Sequence, residues 1–234
     1  RTCCSDHVAP ITTILMLGSL SLRTRVVTAP RLAIAAQTVT RQNIYPRRNI
    51  VDPFVRTFSG GPLNNVNLEA VGGLCAAIKE DPKLADTRWK ATVEWTGGFT
   101  STARVEPHDA ILKSDEPTTL GGGGTAPNPV EIVLCALGQC LSVGYAAAAS
   151  AHGVKITNLR FELEGSLSLI PFLGQGEPGD HAGYKGIKVD VFLDTEGGDR
   201  KVLEEIHAGV ISTSPVGHTL AHPVALDYTL HSNH

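Results

Sequence analysis

The sequence predicts an α+β fold in which antiparallel strands surround one long buried helix. Residues 129–152 run almost without charge between helix-start and helix-stop residues. Segments with period-two alternation lie on both sides of that run. The order hairpin, helix, strands, helix, strand is α+β organisation with antiparallel pairing. Hydrophobic residues form 42% of the 234 and charged residues 18%, enough to build a core without disulfide staples.

The first sixty residues have a different composition. They hold eight arginines, no lysine, and only Asp6 and Asp52 as acids. Arg-rich, Ser-rich and acid-poor composition marks an organellar transit peptide. Arg56-Thr57-Phe58-Ser59 resembles a matrix-protease cleavage pattern. Residues 1–58 are therefore expected to be a transit peptide, 59–87 an N-terminal helix and linker, and 88–234 the globular domain. The mitochondrial matrix is the expected location, with plastid or cytoplasm as the other readings. A secretory reading of Ile11–Leu22 fails because Thr, Gly and Ser interrupt the run and no strong basic region precedes it.

Leu68, Val71, Leu74 and Ile78 recur at helical spacing until Asp81-Pro82, which predicts an amphipathic helix over 66–80 with Cys75 in its core face. Trp89, Ala91, Val93 and Trp95 alternate as a half-buried strand, Gly97-Gly98 turns, and a second strand passes through Ala103 and Val105. The glycines of residues 114–128 could wrap an anion in backbone N–H groups. No phosphate-loop Lys follows them, so a turn that delivers the chain into the next helix is the preferred reading.

That helix has Asn128 as N-cap, Pro129 at N1, Glu131 placed for a capping box and Gly153 as its stop. An all-round apolar helix is expected to be buried on every side, including Cys135. Its length of roughly 36 Å would span a bilayer, but its Gly, Ser, Gln and Ala content is too weakly hydrophobic, so no membrane role is expected. Strands follow at 156–167 and 184–194, a helix at 199–210, a break at Ser214-Pro215, and a last strand at 224–231.

A net charge of −3 and the lack of a basic stripe argue against nucleic acid. Five cysteines (Cys3, Cys4, Cys75, Cys135 and Cys140) at irregular spacing, without CxxC, point to a reducing compartment. His218 and His222 have a spacing seen in zinc sites, but Pro223 ends any helix there, no HExxH acid is present and no Cys lies near in sequence, so no metal is expected.

The motifs WTGGF (95–99), DEP with LGGGG (115–124), NPVEIVLCALGQC (128–140) and SPVGHTL (214–220) together resemble the OsmC/Ohr family, and most closely its YhfA-like branch. The likeness spans about residues 88–231. It implies an intertwined α+β homodimer with the Cys helix at its centre and no cofactor. It also implies reduction of organic hydroperoxides by a peroxidatic Cys, a resolving Cys and an Arg–Glu pair.

Carried over position by position, Cys140 matches the peroxidatic Cys. Ser214 stands at the resolving position, and Phe99 replaces the Arg after the Gly-Gly turn. Val130 stands ten residues before Cys140, where the Ohr branch has its Glu. Glu131 is nine before, which places it about 180° from Cys140 on a regular helix, against about 80° for ten. Glu131 therefore reads as a cap.

A thiolate is the nucleophile, and a free thiol titrates near about 8.5 without a stabilising neighbour. Arg104 is the first candidate cation, followed by His218 and His222. Phe99, Ser214 and His218 are candidates for lining the pocket. Ser214, lacking a nucleophile motif, also reads as a helix N-cap before Pro215. Cys135 and Cys140 are separated by about 140° on the helix, so they cannot pair without unwinding it. Three readings remain: a one-Cys thiol peroxidase resolved by an external thiol reductant, a catalytically silent homodimer binding an apolar small molecule at the dimer interface, or an unrelated enzymatic use of the pocket.

Overall fold

The computed structural model describes residues 62–233. The expected transit peptide over 1–58 and the start of the 59–87 segment lie outside the described residues. The elements are α1 (Leu68–Glu80), β1 (Thr92–Gly97), β2 (Thr100–Arg104), β3 (Ile111–Ser114), α2 (Pro129–Ala151), β4 (Lys155–Ser166), α3 (Leu169–Phe172), β5 (Gly186–Glu196), α4 (Arg200–Thr213) and α5 (Pro215–Ala221). This is α+β organisation with two separate antiparallel sheets, β1-β2-β3 and β4-β5.

The core is built on α2. Leu137, Leu141, Tyr145 and Ala149 are buried at four-residue spacing, which aligns them on one helix face. The long hairpin β4–β5 offers the opposing surface. Its register pairs Leu159 with Leu193, Phe161 with Val191 and Leu163 with Val189, and these residues pack on the seam. Ile206 and Val210 of α4 close the other side. Two glycines permit the close approach. A Cβ at Gly138 would stand 3.0 Å from Leu163 Cδ1, and one at Gly144 would stand 2.8 Å from Val210 Cγ1.

Both ends of α2 follow the sequence expectation. Asn128 Oδ1 accepts from Glu131 N at 2.9 Å, and Glu131 Oε2 accepts from Asn128 N at 2.8 Å. Gly153 takes φ +71° just after the C-cap, a conformation open to glycine at little cost. Asn64 fastens the N-terminal turn to this end. Its side-chain amide donates to Ser150 Oγ and to the Val154 carbonyl, and its oxygen accepts from Ile156 N.

The glycine-rich loop does wrap an anion, and the anion is the protein's own. Asp115 is buried. Its carboxylate accepts from Glu116 N, Gly123 N, Thr125 N and the Thr125 hydroxyl at 2.8–3.3 Å. At Gly122 a Cβ would fall 2.0 Å from the Glu116 carbonyl oxygen, so the loop closes only with glycine there.

Four expectations are corrected. First, α2 is not buried on every side: Cys135 is exposed and Val143 is 72% exposed. One face packs on β4, α4 and α5, while among the described residues little covers the other. Second, residues 224–231 form no strand. The alternation of Val224, Leu226, Tyr228 and Leu230 is present, but all four are exposed and no strand among the described residues pairs with them. Third, the first hairpin is not half-buried, since Trp95 is 76% exposed and Val93 is also exposed. Fourth, Cys75 is partly buried rather than core. The short strand β3, paired with β2 from Ser101↔Ser114 to Arg104↔Ile111, was not anticipated.

The hydrogen bonds from Thr125, first among its partners, hold the Asp115 carboxyl below its ordinary range. A lowered folded-state value adds stability above the unfolded value of about 4, and that stability is lost as the pH falls through the lowered one. Asp115→Asn is therefore expected to melt below wild type at pH 7. The difference should narrow on acidification below about pH 4, as read by thermal denaturation across pH.

Candidate functional site

Cys140 sits in the middle of α2, beside the buried seam and partly exposed. Ser214 comes from far along the chain. It ends α4 and begins α5, with φ −67° and ψ 115°. A residue before proline is driven to such extended backbone, so the two helices break at Ser214. At that break the side chain is 5% exposed and meets Cys140, with Oγ 3.3 Å from Sγ.

The Ser214 hydroxyl has a second partner. Gly217 N donates to Oγ at 3.1 Å, which caps α5. Pro215 occupies the first turn, where a missing N–H costs nothing. The N-cap reading of Ser214 and its placement at the position facing the cysteine thus describe the same residue.

The other sequence candidates lie elsewhere. Arg104 is at the exposed end of β2, across from Thr92 and Ile111. Phe99 stands at the β1–β2 turn, exposed, with its ring edge 3.3 Å from where a Cβ of Gly121 would be. His218 is on α5, its Nε2 on the Ser212 carbonyl at 2.9 Å and its ring stacked on His222 at 5.3 Å. The structure therefore brings Ser214 to Cys140 and leaves Arg104 and Phe99 on the first sheet. Glu131 is engaged in its capping box. Among the described residues no group of three His, Cys, Asp or Glu side chains is placed to hold a metal ion.

Two features escaped the sequence reading. Gly217 delivers the N–H that engages Ser214, and the run Ser-Pro-Val-Gly was its signal, as a cap with its N3 residue. Tyr145, 1% exposed in the core, bonds through its hydroxyl to His207 Nδ1 on α4. Burial pushes the Tyr145 phenol above its ordinary value. A tyrosine in an apolar run carries no sequence signal for a distant histidine.

The arrangement presents a half-buried thiol with a hydroxyl on it, flanked by an apolar seam. A hydroxyl can donate to a thiolate or accept from a thiol. α2 is an unbroken helix with Cys135 and Cys140 both free, so neither is spent in a disulfide.

Residues 121–229 match a family model described as OsmC-like protein. A comparison with curated proteins finds no match. Similar solved structures include an OsmC like protein from Mycoplasma pneumoniae, 18% identical over 58% of this chain and 89% of that one, with a TM-score of 0.49. An organic hydroperoxide resistance protein OsmC from Legionella pneumophila is 19% identical over 58% of this chain and 91% of that one, with a TM-score of 0.40. The organic hydroperoxide resistance protein OhrB of Bacillus subtilis is 18% identical over 56% and 88%, with a TM-score of 0.38.

The contact between positions 140 and 214 can be tested by cross-linking. In Ser214→Cys, oxidation with diamide is expected to join the new thiol to Cys140. The chain should lose two hydrogens by intact mass and lose Cys140 alkylation, both reversed by dithiothreitol. Failure of the pair to form while α5 remains folded would contradict the 3.3 Å separation.

Proposed function

We propose, from the match of residues 121–229 to an OsmC-like family model, that the chain is a redox or detoxification protein reducing organic hydroperoxides through Cys140. The carrying observation is the meeting of a partly exposed Cys140 with the buried Ser214 hydroxyl at 3.3 Å. Cys140 stands at the family's peroxidatic position. Serine at the resolving position makes the cycle a one-Cys cycle.

In the first step the thiolate attacks the terminal oxygen of ROOH. The S–O bond forms, the O–O bond breaks, and the alkoxide takes a proton to leave as ROH. Sulfur is oxidised to the sulfenic acid. An external thiol then attacks that sulfur, forming an S–S bond and releasing water. A second external thiol attacks the mixed disulfide, leaves as the external disulfide and returns the Cys140 thiolate. One hydroperoxide and two thiols thus give one alcohol, one water and one disulfide.

A second reading has its own support. Arg104 is exposed on β2 rather than beside the sulfur, and large apolar side chains of β1, α2 and the 224–231 segment stand uncovered. In that reading the protein is catalytically silent and binds an apolar small molecule at a homodimer interface. Both readings place a second copy of the chain over the exposed face of α2. The Arg-rich, acid-poor stretch at residues 1–58 supports a mitochondrial matrix setting.

Turnover separates the two. The chain, given cumene hydroperoxide and excess dithiothreitol, is expected to consume peroxide. Cys140→Ser should reduce the rate to background, and Cys135→Ser should leave it within about twofold. No consumption by wild type, together with saturable binding of an apolar fluorophore, would instead establish the binder. Light scattering on the eluted protein is expected to give twice the chain mass; a monomer at micromolar concentration would remove the homodimer from both readings.

A further inference from the structure

We propose that Ser214 is a positioning residue for the sulfur, its hydroxyl proton directed onto Cys140 Sγ so that the thiolate is held by a hydrogen bond. This inference rests on the reading of Cys140 as a reactive thiol.

The surroundings of Ser214 and the ionisation of the sulfur together set the direction of the bond. A serine hydroxyl has one hydrogen to donate and two lone pairs to accept. Gly217 N–H, 3.1 Å away, occupies a lone pair of Ser214 Oγ and leaves its hydrogen free. The other polar atom within reach is Cys140 Sγ at 3.3 Å. Once the thiol has lost its proton, the sulfur can only accept and the hydroxyl must donate. A hydrogen bond to an ionised acceptor is roughly twice as strong as a neutral one. A hydroxyl that already accepts from a backbone N–H is a better donor, because chained hydrogen bonds polarise one another. Ser214 is 5% exposed, so water competes poorly for either partner.

Several titratable groups on the elements around α2 have partners other than the sulfur or lie exposed. His207 of α4 bonds Tyr145. His218 and His222 of α5 bond the Ser212 and His218 carbonyls. On β4, Lys155 pairs with Glu196 and Arg160 with Glu162, and on α4 Arg200 pairs with Glu204. Glu164 of β4 faces Lys188 across the hairpin, and on α1 Glu69 and Glu80 lie exposed at opposite ends. Among the described residues the hydrogen-bond partner of the sulfur is the neutral hydroxyl of Ser214. In this chain the position where the family carries its resolving thiol holds the sulfur instead of attacking it.

The test uses the full chain carrying Cys135→Ser, so that alkylation by iodoacetamide is read at Cys140 alone in its peptide by mass spectrometry. Rates are taken from pH 5.5 to 9.5 in that background and with Ser214→Ala, Ser214→Gly or Ser214→Thr added. Glycine caps a helix nearly as well as serine whereas alanine does not, so the cap and the hydroxyl are separated. Ala and Gly are both expected to slow alkylation at pH 7 about tenfold and move the midpoint of the pH profile up by about one unit, which corresponds to about 1.4 kcal/mol. Thr should stay within about twofold of serine. A Ser214→Gly profile that overlays serine, with peroxide turnover intact, would overturn the proposal and leave Cys140 as a reactive thiol. Inertness of Cys140 with Ser214 in place, at every pH short of unfolding, would overturn both.

Discussion

The seam of Leu137, Leu141, Tyr145 and Ala149 on α2 determines where the rest of the domain can sit. Four buried residues at four-residue spacing make a narrow stripe, and only one surface can cover it at a time. The β4–β5 hairpin covers it broadly because its inward residues share one face in register. α4 and α5 then take the flank that remains, and their junction falls beside Cys140. Burial of large apolar side chains contributes roughly 1.5–3 kcal/mol each, which outweighs any single cap or ion pair here. The Cys140–Ser214 contact is thus placed by packing, and hydrogen bonds refine it.

The parts that sequence made legible are those governed by local rules. The cap and stop of α2, the Ser214 cap of α5, and the Gly97-Gly98 turn depend on a few adjacent residues, and each was read where it occurs. The sidedness of α2 was not legible. Val143 and Leu141 are equally apolar, yet one is exposed and the other buried, because the difference lies in what stands opposite. The same holds for residues 224–231: alternation records a capacity for pairing, and pairing needs a second strand. Asp115 shows the limit from the polar side. Its burial and three of its four donors come from a loop that folds back on it eight to ten residues later.

The meeting of Cys140 with residue 214 was suggested by family resemblance, and nothing in the 74 intervening steps announces it. What the residues themselves supplied was the break at Ser214-Pro215, which gives the hydroxyl its place at a helix start. Arg104 is a candidate by sequence because it follows the Gly-Gly turn in a strand. Its actual location on the first sheet, away from the α2 seam in the single chain, depends on tertiary arrangement that spacing cannot encode. One neutral hydroxyl now stands where a charge was sought.

Gly144 and Val210 acquire a wider meaning from this arrangement. α2 and α4 run in opposite directions, so residue 144 meets residue 210 and, one turn along, residue 140 meets residue 214. The hydrogen in place of a side chain at Gly144 therefore acts as a spacer that sets the gap at the sulfur. Any bulk introduced there would work as a wedge, prising the helices apart at a point that touches neither Cys140 nor Ser214. The surroundings of the sulfur are in this sense larger than the atoms that touch it, and a methyl group added at Gly144, one helical turn away, would disturb them.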